Sequence, residues 1–127
     1  MTDIRVLLID DEVGYTEALA KRLDRRGISV RTADGGARAL EMMAEAPCDV
    51  VLLDIKMAGM DGIKTLREIK RRHPEVEVVM LTAHANTDIV ISSLAMGAYD
   101  YLLKPAEVEE LVRKIEDAAM RKRSSSE

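Results

Sequence analysis

Phenylalanine and tryptophan are absent from this chain, and three tyrosines make up its whole aromatic content. Its core must therefore be filled by Val, Leu, Ile, Ala and eight Met, the last of which pack adaptably. A lone cysteine, Cys48, excludes an internal disulfide and a cysteine metal cluster, and reads as a small buried apolar residue. No apolar run approaches membrane-spanning length, and the amino terminus lacks a signal-peptide pattern. Neither a membrane protein nor a secreted one is expected, which leaves the cytoplasm as the default compartment. An excess of basic charge is missing too: 19 Lys and Arg stand against 23 Asp and Glu. The net charge of −4 argues against direct nucleic-acid binding by this domain.

What is present suits one soluble globular domain. At 127 residues a chain buries roughly two-thirds of its unfolded surface, enough for a core without staples. Short runs rich in branched aliphatics occur at 4–10, 28–33, 49–54, 76–81 and 98–103. Several place apolar residues on consecutive positions, as strands covered on both faces do. Helical patterns lie between them. Tyr15, Leu19 and Leu23 share a stripe in 13–26, stopped by Gly27, and Ala37, Leu40 and Ala44 do so in 36–45, before Pro47. Asp61 is placed to cap a helix carrying Ile63, Leu66 and Ile69, which Pro74 closes. Residues 87–96 end at Gly97, and Val108, Leu111, Val112, Ile115 and Ala119 form the last apolar face. The β-α alternation, five times over with short connections, predicts a doubly wound five-stranded parallel sheet. Residues 1–121 form the expected domain. The polar residues 122–127 read as a fraying, solvated tail or the start of a linker, their basic side chains facing a negative helix terminus.

The stretch "VLLIDDE", residues 6–12, runs a buried strand straight into Asp10, Asp11 and Glu12. Carboxylates are rarely fully buried, and adjacent ones repel. The topology resolves the conflict, because ligands in such sheets sit beyond the carboxyl ends of the strands. Asp10 and Asp11 end the first strand, Asp54 the third and Thr82 the fourth, and the fifth runs into Lys104. Asp10 alone reads as a helix cap, Asp54 as a loop cap, Thr82 as an ordinary strand end and Lys104 as a solvated side chain. Their joint placement at one rim makes a site. All-oxygen ligation by carboxylates with retained waters suits Mg²⁺ better than a transition metal. A lysine and a hydroxyl beside them suit a phosphoryl group, and a carboxylate can itself be the nucleophile.

Taken together, "LLIDDE", "VVLLDIKMAGMDG", "VVMLTAHA" and "GAYDYLLKP" resemble the receiver domains of two-component response regulators over residues 4–121. The resemblance implies a flavodoxin-like (βα)5 fold with strand order 2-1-3-4-5. It implies a signalling module, not a metabolic enzyme, in which Asp54 accepts a phosphoryl group from a histidine kinase phosphohistidine. By the same carry-over Asp11 and Asp54 ligate Mg²⁺ directly, with Mn²⁺ an acceptable substitute. Asp10 acts through a bound water, and the backbone carbonyl of Lys56 supplies a further ligand. Lys104 contacts the phosphoryl oxygens, and the Lys104–Pro105 bond is expected to be cis. Thr82 and Tyr101 form the switch, a two-state equilibrium biased by new bonds at the phosphate. Tyr99 is assigned to packing or a surface contact. The implied partner is a sensor histidine kinase or phosphotransfer protein, facing the first helix. A homodimer through the fourth helix, fifth strand and fifth helix is also implied.

The sequence departs from the family pattern at Ala58, where Pro is usual, and at Ala106 and Glu107, the latter a weak cap. None is a reacting group. Lys56 and His84 stand two residues after Asp54 and Thr82, positions that in the family flank the phosphoryl group. They are expected to modulate its lifetime, or else to be exposed polar side chains. Two other functions compete. A Mg²⁺-dependent phosphohydrolase with an aspartate nucleophile would usually carry a second acid where Lys56 stands. An unphosphorylated receiver-like scaffold would have no need of the complete set of Asp10, Asp11, Asp54, Thr82 and Lys104.

Overall fold

A computed structural model of the chain describes residues 3–55, 62–83 and 87–126. The elements alternate as β1 (Arg5–Ile9), α1 (Val13–Asp24), β2 (Ser29–Ala33), α2 (Gly36–Glu45), β3 (Val50–Leu53) and α3 (Gly62–Arg72). They continue as β4 (Glu77–Thr82), α4 (Thr87–Ala95), β5 (Asp100–Leu103) and α5 (Val108–Ser126). The strands form one parallel sheet in the order β2-β1-β3-β4-β5, the predicted topology.

Consecutive apolar residues in the central strands are explained by two cores, one on each face. Leu7, Ile9, Val51, Leu53, Val78 and Met80 point toward α2 and α3, where they meet Ala39, Leu40, Met43, Leu66 and Ile69. The alternate residues Val6, Leu8, Val50, Leu52, Val79 and Leu81 point the other way, onto Leu19 and Leu23 of α1 and Leu111 and Ile115 of α5. Each fully buried Leu or Ile contributes about 1.5–3 kcal/mol, so the central strands are fixed in register by both layers. A slip of one residue would exchange the two cores. The outer strands are less covered: β5 buries Leu102 but exposes Tyr101 and Leu103.

Two expectations need correction. In α2 the stripe does not run through Ala37 and Ala44, which are exposed; Gly36, Ala39, Leu40, Met42 and Met43 face the core. The pair Met42 and Met43 offers far more apolar area than two alanines, and it sets the rotation of the helix. At the other end of the chain, α5 does not fray after residue 121 but continues to Ser126. Lys122 reaches the buried Asp49, 3.3 Å away, so its turn is tied to the sheet. The expected cap Asp61 and the departure at Ala58 lie outside the described residues.

One glycine bears on the site. Gly62 opens α3 against the backbone that follows β3, its amide donating to the carbonyl of Ile55 at 3.1 Å. A Cβ there would fall 2.4 Å from Ile55 Cα and 2.8 Å from the Asp54 carbonyl oxygen. No side chain fits without moving the segment that carries Asp54.

Candidate functional site

The sheet's hydrogen-bond ladder continues one residue past its strands, and this places the site. The Asp10 amide donates to Ala33 O at 3.1 Å, the Asp54 amide to Ile9 O at 3.0 Å and the Lys104 amide to Thr82 O at 2.8 Å. Asp10, Asp54 and Lys104 are each the residue just after a strand, and Thr82 is the last residue of β4. Their side chains leave a backbone that the two cores hold rigid. The Lys104–Pro105 bond is cis, as expected.

The Lys104 ammonium lies 2.5 Å from Asp10 Oδ2, 3.2 Å from Glu12 Oε1 and 3.5 Å from Asp54 Oδ2. Asp10 is 1% exposed, and its other oxygen accepts the Glu12 amide at 3.0 Å. It thus serves the start of α1 and the site at once. Asp54 is buried; the Glu12 side chain is 66% exposed. Burial works against the charge on Lys104, but the hydrogen bond to Asp10 and the charges of Asp54 and Glu12 outweigh it, holding the ammonium well above the ordinary lysine range. Lys104 is a fixed cation at every physiological pH.

Asp10, Glu12 and Asp54 each offer an oxygen within 4.8 Å of the others. Three hard oxygen donors at a water-accessible rim, in an arrangement that concentrates negative charge, fit a divalent cation of the Mg²⁺ type. The structure brings together Asp10, Asp54 and Lys104 as anticipated, and buries Thr82 beside them at the end of β4. Asp11 is exposed and stands outside the three-carboxylate group. Glu12 takes a place there that the sequence reading had not given it, although it is the third acid of the run. Tyr101 is 37% exposed on β5, over a groove between β5 and α5 lined by Leu103, Pro105, Glu110 and Lys114. Tyr99 packs against the α1–α5 core, with the Arg121 guanidinium 5.6 Å from its ring. Lys56, including its carbonyl, and His84 lie outside the described residues.

Cys48 is buried at the opposite end of the sheet, and burial pushes its thiol up to about 11. It is no nucleophile at neutral pH. Among the described residues no helix is long and apolar enough to cross a membrane.

Comparison with known proteins agrees with this geometry. A family profile described as the response regulator receiver domain matches residues 6–116. The chain is 40% identical over 113 residues to the DNA-binding transcriptional regulator NtrC of Escherichia coli, covering 89% of this chain and 24% of that protein. It is 38% identical over 122 residues to the transcriptional regulatory protein ZraR of Klebsiella oxytoca, covering 96% and 28%. The chain thus spans about a quarter of the length of these curated relatives. Among solved structures, the receiver domain of NtrX from Brucella abortus superposes with a TM-score of 0.86 at 36% identity, covering 91% of this chain and 98% of that one. A receiver domain protein from Clostridium thermocellum gives 0.89 at 34%, covering 94% and 97%.

Proposed function

This chain belongs to the response regulator receiver domain family, and on that premise we propose that Asp54 is the phosphoacceptor of a two-component signalling module. The donor is the phosphohistidine of a sensor histidine kinase or phosphotransfer protein. An Asp54 carboxylate oxygen attacks phosphorus, the P–N bond breaks as the P–O bond forms, and the imidazole leaves to recover its proton from solvent. The product is an acyl phosphate on the protein, and no separate substrate is turned over. The observation that carries the reading is the Lys104 ammonium, held between two buried carboxylates that directly follow the neighbouring strands β1 and β3.

Asp10, Asp11 and Asp54 are the proposed holders of Mg²⁺, with the Lys56 carbonyl, and Glu12 adds a fourth carboxylate at the rim. The ion supplies neutralisation of charge on the phosphoryl oxygens and on the carboxylates themselves. Lys104 is positioned to leave the carboxylates for a phosphoryl oxygen, and the Thr82 hydroxyl to donate a hydrogen bond to another. The outward position of Tyr101 suits the resting member of a two-state switch, which phosphorylation would bias inward. The surface it would change is α4-β5-α5, where Ile91, Leu94 and Leu103 are exposed apolar residues; such a patch suits a homodimer contact. The module works in the cytoplasm.

Incubation with Mg²⁺ and acetyl phosphate, followed by intact mass measurement, tests the proposal. A single hydroxylamine-labile phosphoryl adduct is expected, and Asp54→Asn abolishes it. Steady release of phosphate from many phosphoesters would instead identify a hydrolase, and no adduct with no Mg²⁺ affinity would identify a scaffold. Lys56 and His84 are assigned to the lifetime of the adduct; decay at the wild-type rate in Lys56→Ala and His84→Ala would remove them from that role.

A further inference from the structure

The Lys104 ammonium has a neighbour that charge pairing does not account for. Its nitrogen lies 4.6 Å from the centre of the Tyr15 ring, inside the distance at which a cation is drawn to an aromatic face. Tyr15 is the third residue of α1, and Glu12, which also reaches Lys104, immediately precedes that helix. The start of α1, with the residue that precedes it, therefore supplies both a carboxylate and a ring to a lysine just past the end of β5.

A lysine side chain is a point charge on a flexible four-carbon stem. The carboxylates restrain its head but leave it a choice among Asp10, Glu12 and Asp54. The ring narrows that choice. It is half-buried, packed against the α1–α5 core, and it walls a groove of about 160 Å³ with Ala18, Leu19, Arg22, Pro105 and Ala106. Pro105 and Ala106 follow Lys104 directly, so the Tyr15 ring faces the lysine's own loop across that groove. If Tyr15 served packing alone, any apolar side chain of similar bulk would do as well.

Resting on the reading of Asp54 as phosphoacceptor, we propose that Tyr15 is a positioning residue for phosphoryl transfer, its ring face holding the Lys104 ammonium where it can meet a phosphoryl group on Asp54. The ring is the acting group, so Phe should replace it and Leu should not.

Two measurements on wild type, Tyr15→Phe and Tyr15→Leu test this. In Mg²⁺ and phosphodonor-free buffer, the ε-methylene protons of Lys104, assigned with Lys104→Arg, are expected to be shifted upfield by the ring in wild type and Tyr15→Phe. The shift disappears in Tyr15→Leu. With acetyl phosphate and saturating Mg²⁺, adduct formation is expected to be about five- to tenfold slower in Tyr15→Leu and within about twofold of wild type in Tyr15→Phe. The half-saturating Mg²⁺ concentration changes by less than about twofold, because the ring offers the ion no ligand. Adduct formation at the wild-type rate in Tyr15→Leu would overturn the inference and leave the phosphoacceptor reading intact. Equal slowing in Tyr15→Phe would also overturn it, by assigning the effect to the hydroxyl. A wild-type protein that takes no phosphoryl group would overturn the phosphoacceptor reading, and this inference with it.

Discussion

At the amino end of the sheet, Asp49 and Glu77 are buried where β3 and β4 begin, much as Asp10 and Asp54 are buried where β1 and β3 end. The two ends handle their carboxylates differently. Asp49 accepts the Arg5 amide at 2.8 Å and lies 3.4 Å from the Arg5 guanidinium and 3.3 Å from the Lys122 ammonium. Glu77 has Lys70 at 3.9 Å and Arg121 at 3.5 Å. Each acid there is flanked by two cations. At the carboxyl end Asp10, Glu12 and Asp54 all converge on the ammonium of Lys104. Buried charge that is amply paired is a fastener, and its pairing tells nothing about ligands. Acids that converge on a shared ammonium, each with an oxygen within 4.8 Å of the others, offer a place for a divalent cation or for a phosphoryl group with its metal.

The comparison breaks most readily at Asp49. Asp49→Ala removes the anion from a site where Arg5 and Lys122 converge and leaves the Arg5 amide without its acceptor, so a loss of about 3 kcal/mol is expected. Denaturant unfolding at neutral pH measures it, with adduct formation at Asp54 little changed. Burial pushes the Asp49 carboxyl up, but the Arg5 amide, the Arg5 guanidinium and Lys122 outweigh that and hold it below the ordinary carboxylate range. A carboxyl whose folded value is depressed contributes stability that is fully present above its unfolded value, about 3.9. That contribution is lost as pH falls through the lower folded value. The gap between wild type and Asp49→Ala should therefore hold constant down to about pH 4 and narrow below it. A loss under about 0.5 kcal/mol, the range of exposed ion pairs, would remove the distinction between the two ends.

The carboxyl rim was readable from the sequence and the amino rim was not, for a physical reason. The strand rule sends functional residues to the carboxyl edge, so the sequence alone gives Asp10, Asp54, Thr82 and Lys104 a place to converge. No comparable rule pairs Asp49 with Lys122, 73 positions apart, because the partner lies on a helix whose final turns read as solvated tail. Tyr15 was legible as part of the α1 stripe with Leu19 and Leu23, but periodicity describes a face and not what its edge touches. Glu12 stood in plain view as the third acid of a run; its reach to Lys104 depends on how α1 starts, which the Asp10 carboxylate decides by accepting the Glu12 amide. Periodicity does not fix the rotation of α2, because Ala37, Leu40 and Ala44 satisfy the helical period as well as Met43 does, and only side-chain area separates the choices.

Removing a carboxylate charge at the other rim sharpens the contrast, because the sign of the effect should reverse. In wild type, Mg²⁺ at a hundredfold excess over its dissociation constant is expected to raise unfolding stability by about 2.7 kcal/mol. Asp49→Ala should keep that increment and Asp54→Asn should lose most of it. Without Mg²⁺, Asp54→Asn takes away a buried negative charge that repels Asp10 and Glu12, and weakens its attraction to the Lys104 ammonium, which is already closer to both of them. Relief of the repulsion from two neighbouring carboxylates favours the amide, and Asn keeps the shape. The metal-free variant is therefore expected to be more stable than wild type by about 0.5 kcal/mol. Thermal unfolding in a chelator measures the difference. An Asp54→Asn protein that unfolds more easily than wild type, by an amount comparable to Asp49→Ala, would mean that Asp54 is a fastener like Asp49 and that its charge is not held in reserve for a ligand.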